Sequence, residues 1–170
     1  MSSQARRFAV ALELDTITGV AQRSAEQILA ELGDDMSRFP TAAHAASWTG
    51  ICPGNHESAG KRKSGRTRKG NRWLRATLIE CARGAVRARD SYLAAQYHRV
   101  ARRRGDKKAI AAVAHSILIA AWHILRYGVS YRDLGRDHFD RLDRDRLIRY
   151  DTRRLADLGV LIPAPAPAVA

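Results

Sequence analysis

The chain has 170 residues, with 30 lysines and arginines against 17 aspartates and glutamates, and a net charge of +13. This length suits one compact domain, or one domain with a tail, and is enough to bury a hydrophobic core. Hydrophobic residues at 45% and charged residues at 28% are ordinary for folded proteins, which excludes wholesale disorder. The excess of positive charge predicts a polyanionic partner, with nucleic acid favoured over an anionic membrane surface.

The sequence also argues against a membrane protein and against a resident metal or disulfide framework. Its longest apolar helical segment, 109–125, is interrupted by His115 and His123, and the N-terminus lacks a signal-peptide core. We therefore expect a cytoplasmic, nucleoid-associated protein without membrane contacts. Cys52 and Cys81 are interpreted as buried thiols, because no C-x-x-C or H-x-x-x-H pair completes a zinc site. No metal or cofactor is expected to bind to this chain.

The positive charge is concentrated in the middle of the chain. Residues 61–108 contain seventeen lysines and arginines and three acidic residues, and no acidic residue lies between Glu57 and Glu80. A merely solvated basic face would intersperse acidic residues, whereas an acid-free run repels itself until an anion neutralises it. Each cation placed on a DNA phosphate releases condensed counterions, which makes binding salt-dependent. The segment therefore predicts contacts with a nucleic-acid backbone.

In chain order, the sequence predicts a mostly α-helical fold with no convincing strand and no internal repeat. Residues 8–35 read as a helix-hairpin-helix, with Gly33 as the C-terminal stop of its second helix. A third helix is expected to begin near Pro40 or Thr41 and to end at Gly50.

A long basic, glycine-rich loop is predicted over residues 51–70. The segment carries four glycines and Pro53, with serines and cations between them, so helical periodicity disappears and turn chemistry takes over. Loops of this length inside a compact domain are usually functional or mobile. We place this loop within a small helical domain over residues 36–135.

Helical periodicity returns after the loop. One helix starts after Gly70, the next begins at Asp90 or Ser91 and ends at Gly105, and the most apolar helix covers 110–125. The remaining predictions are a turn at 131–135, a C-terminal helix within 136–160, and a disordered Pro/Ala-rich tail at 161–170.

The hairpin of the predicted helix-hairpin-helix contains Gly19, a residue that allows close backbone approach. Backbone N–H groups at a helix N-terminus suit a phosphate oxygen, as in the helix-hairpin-helix modules of DNA-binding proteins. Those modules usually carry a second glycine where this chain has Ala21. Two interpretations stay open: a phosphate-binding turn, and a turn that only packs against the rest of the fold.

Ser58 is the candidate nucleophile of the predicted loop. It lies near glycines and ahead of a run of cations, so its hydroxyl could attack a phosphodiester while Lys and Arg stabilise the charge of the transition state. His56 and Glu57 are local candidates for the base, although neighbouring positions in a loop establish no triad. On composition alone, an ordinary loop serine is the simpler interpretation.

The other residues with chemical potential favour structural roles. No spaced group of acidic residues suggests a two-metal nuclease centre. His115 and His123 are interpreted as core or boundary residues of an apolar helix. Trp48, Trp73 and Trp122 lie on helical stripes and are interpreted as core residues rather than as platforms for base stacking.

Several longer motifs follow one another along residues 12–140. They are Ile17-Thr-Gly-Val, Ala30-Glu-Leu-Gly, Arg38-Phe-Pro-Thr, Ala46-Ser-Trp-Thr-Gly-Ile-Cys-Pro-Gly, Glu57-Ser-Ala-Gly-Lys, Thr67-Arg-Lys-Gly-Asn-Arg-Trp-Leu-Arg, Tyr92-Leu-Ala-Ala-Gln-Tyr, Ala112-Val-Ala-His-Ser-Ile-Leu and Tyr131-Arg-Asp-Leu-Gly. In this order they resemble the C-terminal domain of the one-hundred-ten family of bacterial insertion-sequence transposases.

The resemblance implies a recombinase in which Ser58 attacks DNA and holds it covalently. It further implies an N-terminal RNase H-like domain with four acidic residues that bind magnesium, a structured guide RNA, and a homo-oligomer with composite active sites. The basic segment would contact DNA and RNA backbones. Together with the hairpin glycine it provides the candidate nucleic-acid-binding residues Gly19, Lys61, Arg62, Lys63, Arg66, Arg68, Lys69, Asn71, Arg72 and Arg75.

This sequence shows no counterpart of the acidic domain, so we expect a truncated or frame-shifted copy, or an isolated C-terminal domain. Such a chain would bind nucleic acid without recombining DNA, and magnesium would be expected only with the other domain. Two alternatives remain: a non-catalytic helical module that binds nucleic acid, and a structural helical bundle with a basic surface.

Overall fold

A computed structural model describes residues 3–52, 56–64, 67 and 69–160 and confirms the mostly α-helical fold. Two short strands, β1 (His56–Ser58) and β2 (Lys61–Ser64), form an antiparallel hairpin, and a 3-10 turn covers Met36–Arg38. The helices are α1 (Ser3–Asp15), α2 (Gln22–Leu32), α3 (Ala42–Thr49), α4 (Arg72–Arg87), α5 (Tyr92–Arg104), α6 (Asp106–Tyr127), α7 (His138–Leu142) and α8 (Arg144–Asp157). The chain forms two compact units, Met1–Arg136 and Asp137–Ala170.

Helix α6 is the centre of the first unit and packs against α1, α3, α4 and α5. Its apolar residues recur every three or four positions, as the sequence predicts, and the resulting face is buried. By length and composition α6 could also cross a membrane, but half of its most apolar window is buried inside the fold, as in a core helix. The buried residues are Ala109, Ile110, Val113, Ala114, Ile117, Leu118, Ala121, Trp122 and Ile124.

Several predicted helix ends are confirmed by their capping contacts. The Thr41 hydroxyl accepts a hydrogen bond from the N–H of His44 at the start of α3, and the helix ends at Gly50 in the left-handed conformation. Ser91 caps α5 in the same way, and Gly105 ends it with a φ of 80°. Polar caps and glycine stops thus set these boundaries locally, which is why the sequence alone could locate them.

The prediction of an irregular loop is wrong over residues 56–64, where the chain forms the β1–β2 hairpin. Ser58 pairs directly with Lys61, and the two residues between them, Ala59 and Gly60, have φ values of 51° and 72°. Two consecutive positive φ values define the turn type that matches the twist of a hairpin. Strands of three and four residues are too short to show an alternating pattern in the sequence.

The turn between α1 and α2 packs directly onto the backbone of α4. Gly19 has a φ of 85°, and a Cβ atom there would lie 2.4 Å from the backbone nitrogen of Ala85 and 2.5 Å from the carbonyl oxygen of Cys81. Gly84 of α4 leaves room for the turn, because a Cβ atom at position 84 would lie only 3.3 Å from the carbonyl oxygen of Gly19. Packing against α4 therefore accounts for Gly19, while phosphate binding at this turn stays a prediction.

Asp133 joins three separate segments of the first unit. Its carboxylate accepts hydrogen bonds from the N–H groups of Tyr92 (2.9 Å) and Gly135 (2.7 Å). It also accepts hydrogen bonds from the hydroxyls of Thr18 (3.1 Å) and Tyr131 (3.2 Å). The α1–α2 turn, the start of α5 and the segment after α6 are thereby held together. The sequence motif Tyr-Arg-Asp-Leu-Gly thus has a structural function.

These contacts shift the ionisation of two side chains. Burial alone disfavours the charged carboxylate, but the N–H and hydroxyl donors outweigh it and lower the pKa of Asp133 from its ordinary value of 3.8. Burial, together with the neighbouring Asp133 charge, raises the pKa of Tyr131 to about 12. The network therefore favours an ionised Asp133 beside a neutral Tyr131 at neutral pH.

The second unit consists of α7 and α8 in place of the single predicted helix. Neither helix contains a buried residue. Two of its ion pairs, Arg141 with Asp137 and Arg146 with Asp143, both at 3.4 Å, are largely open to solvent and contribute little to stability. The predicted disordered tail at 161–170 lies outside the described residues.

Replacing Gly19 by alanine should destabilise the first unit. The new methyl group forces the turn away from α4, which should lower the unfolding free energy by about 1–3 kcal/mol. The positive φ should cost a further amount of about 1 kcal/mol, because alanine disfavours this conformation. Gly33→Ala is the matched control, because Gly33 has a φ of 80° but its nearest atom for an added Cβ lies 4.0 Å away. Chemical denaturation should show a clearly larger loss of unfolding free energy for Gly19→Ala, and equal losses would contradict the close packing.

The Asp133 network predicts a specific pH dependence of stability. Because the pKa of Asp133 is lowered in the folded state, its contribution is present above about pH 4 and disappears as the pH falls through the folded pKa. Asp133→Asn should therefore lower the unfolding free energy at pH 7 by about 1 kcal/mol and much less near pH 2. Asp157→Asn, at an exposed carboxylate in α8, provides the control. A constant difference across this pH range would disprove the network.

Candidate nucleic-acid interface

The predicted nucleophile and three predicted cations lie on the β1–β2 hairpin. We use the name basic arm for residues 51–70. Ser58 is the last residue of β1 and is paired with Lys61, the first residue of β2, which continues with Arg62 and Lys63. Lys69 is exposed where the arm returns to the helices. The two other candidate cations of the arm, Arg66 and Arg68, lie outside the described residues.

The two ends of the basic arm meet at the C-terminus of α3. Ile51 is buried and its N–H donates to the carbonyl of Ala46 at 3.1 Å. At the other end, a Cβ atom on Gly70 would lie 2.4 Å from the carbonyl carbon of Thr49 and 2.5 Å from the nitrogen of Gly50. The arm therefore starts and ends at one fixed place in the fold.

Asn71 is a predicted contact of nucleic acid, and in the structure its side chain forms hydrogen bonds within the protein. Its Oδ1 accepts hydrogen bonds from the N–H groups of Trp73 (3.0 Å) and Leu74 (2.9 Å), so Asn71 caps α4. Its Nδ2 donates to Glu31 of α2 at 2.6 Å, and its own N–H donates to the carbonyl of Trp48 at 3.2 Å. An asparagine before a helical apolar period is a capping signal that the sequence already contained.

Arg72 and Arg75, both predicted contacts of nucleic acid, have different environments. Arg72 is exposed, and its guanidinium carbon lies 4.8 Å from the centre of the Trp73 ring. Arg75 is half-buried and donates to the hydroxyl of Thr67 in the basic arm at 3.1 Å. Arg72 is therefore open to solvent, whereas Arg75 supports the return of the arm.

The interpretation of all three tryptophans as core residues is correct only for Trp122. Trp122 is buried, and its indole N–H donates to the carbonyl of Phe39 at 2.9 Å. Trp73 is 65% exposed because it lies in the first turn of α4, before the buried stretch of that helix begins. Trp48 is 36% exposed and its ring is tilted against Phe39. Two indoles are thus accessible beside the base of the basic arm.

The sequence predicts that His115 and His123 are core or boundary residues, and this is correct for only one of them. His115 is half-buried, and burial lowers its pKa. His123 is exposed, so its interpretation as a core or boundary residue is wrong. In the part of the chain that the structure describes, no three His, Cys, Asp or Glu side chains are grouped so as to hold a metal ion.

The cysteines follow the sequence interpretation in part. Cys81 is buried in α4, and burial raises the pKa of its thiol. Cys52 is half-buried at the start of the basic arm. Both cysteines are free thiols. A buried thiol with a raised pKa is a poor nucleophile, so Cys81 acts as a small apolar packing residue.

Comparison with known proteins gives a consistent result. A family model described as "Transposase IS116/IS110/IS902 family" matches residues 11–98, which include the basic arm and α4. The chain is 29% identical over 124 residues to a putative transposase, y4pF/y4sB, of Sinorhizobium fredii, a match that covers 70% of this chain and 32% of the relative. It is 33% identical over 72 residues to a probable family 20 transposase of Pseudomonas aeruginosa, covering 42% of this chain and 21% of that relative.

The chain thus spans about a third of the length of the first of these relatives and less of the second. The matching family model covers more than half of the chain, from α1 into α5. This confirms the family that the sequence motifs indicated: the chain belongs to the IS116/IS110/IS902 family of transposases.

Proposed function

We propose that this chain is a DNA-binding, serine-bearing part of a transposase and that Ser58 forms a covalent bond with DNA during strand exchange. The observation that carries the proposal is the position of Ser58 at the end of β1, paired with Lys61 and followed by the cations of β2. The Glu-Ser-Ala-Gly motif of the family resemblance therefore coincides with the turn of a cation-rich hairpin.

The proposed step is a transesterification. The serine oxygen attacks phosphorus, a serine–phosphate bond forms, and the bond between phosphorus and one sugar oxygen breaks. A base takes the serine proton and the departing sugar oxygen acquires one, so no oxidant or external energy source is needed. The candidate bases are His56 and Glu57, and nearby Lys and Arg side chains would stabilise the charge that develops on phosphorus.

The partners of the whole transposase are also part of the proposal. DNA is the substrate, a structured guide RNA directs its choice, and homo-oligomers complete the active sites. The protein works in the cytoplasm at the nucleoid. Since this chain spans about a third of its first relative, we propose that magnesium is held by other parts of the transposase. The isolated chain then binds nucleic acid without recombining it.

Binding of this chain to duplex DNA should weaken with salt because cations of the arm displace counterions. Replacing Lys61, Arg62 and Lys63 together by alanine should reduce the slope of log K against log salt by up to about 3, at roughly 0.9 per lost phosphate contact. The matched control replaces three exposed cations at the end of α5, Arg102, Arg103 and Arg104. Filter binding at several salt concentrations measures both slopes. Equal changes in the two variants would contradict a specific function of the arm.

The proposed nucleophile is tested by Ser58→Ala in a full-length transposase that contains this domain. The variant should retain DNA affinity within about twofold and lose both the covalent protein–DNA adduct and recombination. Ser64→Ala, at the last residue of β2, is the control and should retain the adduct. Adducts are detected by denaturing gel electrophoresis of labelled DNA. An adduct that persists in Ser58→Ala would remove Ser58 from the reaction, and an adduct formed by the isolated 170-residue chain would show that no further domain is needed.

A further inference from the structure

The most exposed large hydrophobic side chain that the structure describes in the first unit is Trp73, at 65%. Burial of an apolar side chain stabilises a fold in proportion to the area removed from water, and folding leaves most of the Trp73 ring in water. A single exposed aromatic residue would need no explanation. Trp73 differs because it stands beside the basic arm, within an acid-free stretch of chain that begins after Glu57 and ends before Glu80.

The backbone of Trp73 is fixed by the helix start rather than carried on a loop. Its N–H donates to the capping oxygen of Asn71, and its carbonyl oxygen lies 3.1 Å from the hydroxyl of Thr77, one turn later. Asn71 is itself bonded to α2 through Glu31 and to α3 through the carbonyl of Trp48. The indole therefore projects from a rigid junction of three helices.

Two cations are close to Trp73 in the chain, Arg72 on its own helix and Lys69 near the end of the basic arm. The guanidinium of Arg72 lies over the Trp73 ring at 4.8 Å, and Lys69, four residues earlier, is exposed. The junction also contains one carboxylate, that of Glu31, which accepts a hydrogen bond from the side chain of Asn71. An accessible aromatic ring with neighbouring cations matches the chemistry of a nucleotide, which offers a flat base and an anionic phosphate.

We propose that Trp73 stacks on an unpaired nucleobase, with Arg72 and Lys69 on the adjoining phosphates. A base inside a duplex has both faces covered by its neighbours, so Trp73 can stack only on a base that is single-stranded or displaced. The inference rests on the proposed function, since nucleic acid must first reach the basic arm. The arm would hold backbones of any kind, and Trp73 would add a preference for unpaired nucleotides.

The test compares the unaltered 170-residue chain with Trp73→Ala on fluorescently labelled single-stranded DNA, single-stranded RNA and duplex DNA of equal length at one salt concentration. Stacking is worth about 1–3 kcal/mol per base, so Trp73→Ala should weaken single-strand binding roughly 5- to 150-fold. Its affinity for duplex DNA should stay within about twofold. Trp73→Phe should recover part of the loss, because a smaller aromatic ring still stacks.

The control is Phe8→Ala, which removes an aromatic residue of α1 that is 59% exposed and should change neither affinity. Thermal unfolding of all variants checks that the fold is kept. Comparison of single-stranded DNA with single-stranded RNA shows whether the unpaired base comes from opened DNA, from RNA, or from both. Weaker binding of Trp73→Ala to either single strand supports the inference.

Equal effects of Trp73→Ala on single strands and on duplex would overturn the inference while leaving DNA binding intact. No effect on any ligand would overturn it as well. Failure of the unaltered chain to bind any of the three nucleic acids would instead refute the proposed function, and the stacking inference with it.

Discussion

The first unit depends on how the N-terminus of α4 is held, because α2, α3 and the basic arm all meet there. Asn71 satisfies two otherwise unpaired N–H groups of α4 and bonds to α2 with the same side chain. Gly70 lies so close to the backbone at Thr49 that no side chain fits between them. The base of this highly charged hairpin is fixed by the backbone contacts of Ile51 and Gly70 and by the side chain of Asn71.

Close backbone approach recurs at the other end of α4. There Gly19 meets the helix near Ala85, and Gly84 keeps the facing surface small. The Asp133 network then ties the same turn to the start of α5. Two residues that carry the family motifs, Gly19 and Asp133, thus have clear structural functions. Asn71 also belongs to a family motif and has a structural function as the cap of α4. Membership of a family motif therefore does not by itself identify a residue that contacts DNA.

The helical content of the fold could be read from the sequence because it depends on local signals. Thr41, Ser91 and Gly105 cap or end their helices through groups a few residues away, and the stripe along α6 has the period of a helix. The sequence does not reveal the hairpin, because its strands are very short and their pairing depends on a turn that contains an alanine. The exposure of Trp73 cannot be predicted from the sequence, because it depends on where neighbouring helices end, and helical periodicity does not encode those ends.

The turn of the basic arm has a further consequence. Ala59 adopts a φ of 51°, a conformation that costs an L-residue about 1–2 kcal/mol, and a hairpin of two short strands is marginal by itself in water. Mutual repulsion among Lys61, Arg62 and Lys63 opposes the pairing as well. An anion that neutralises these charges would therefore also favour the pairing of the two strands, so anion binding and the stability of the hairpin are thermodynamically linked.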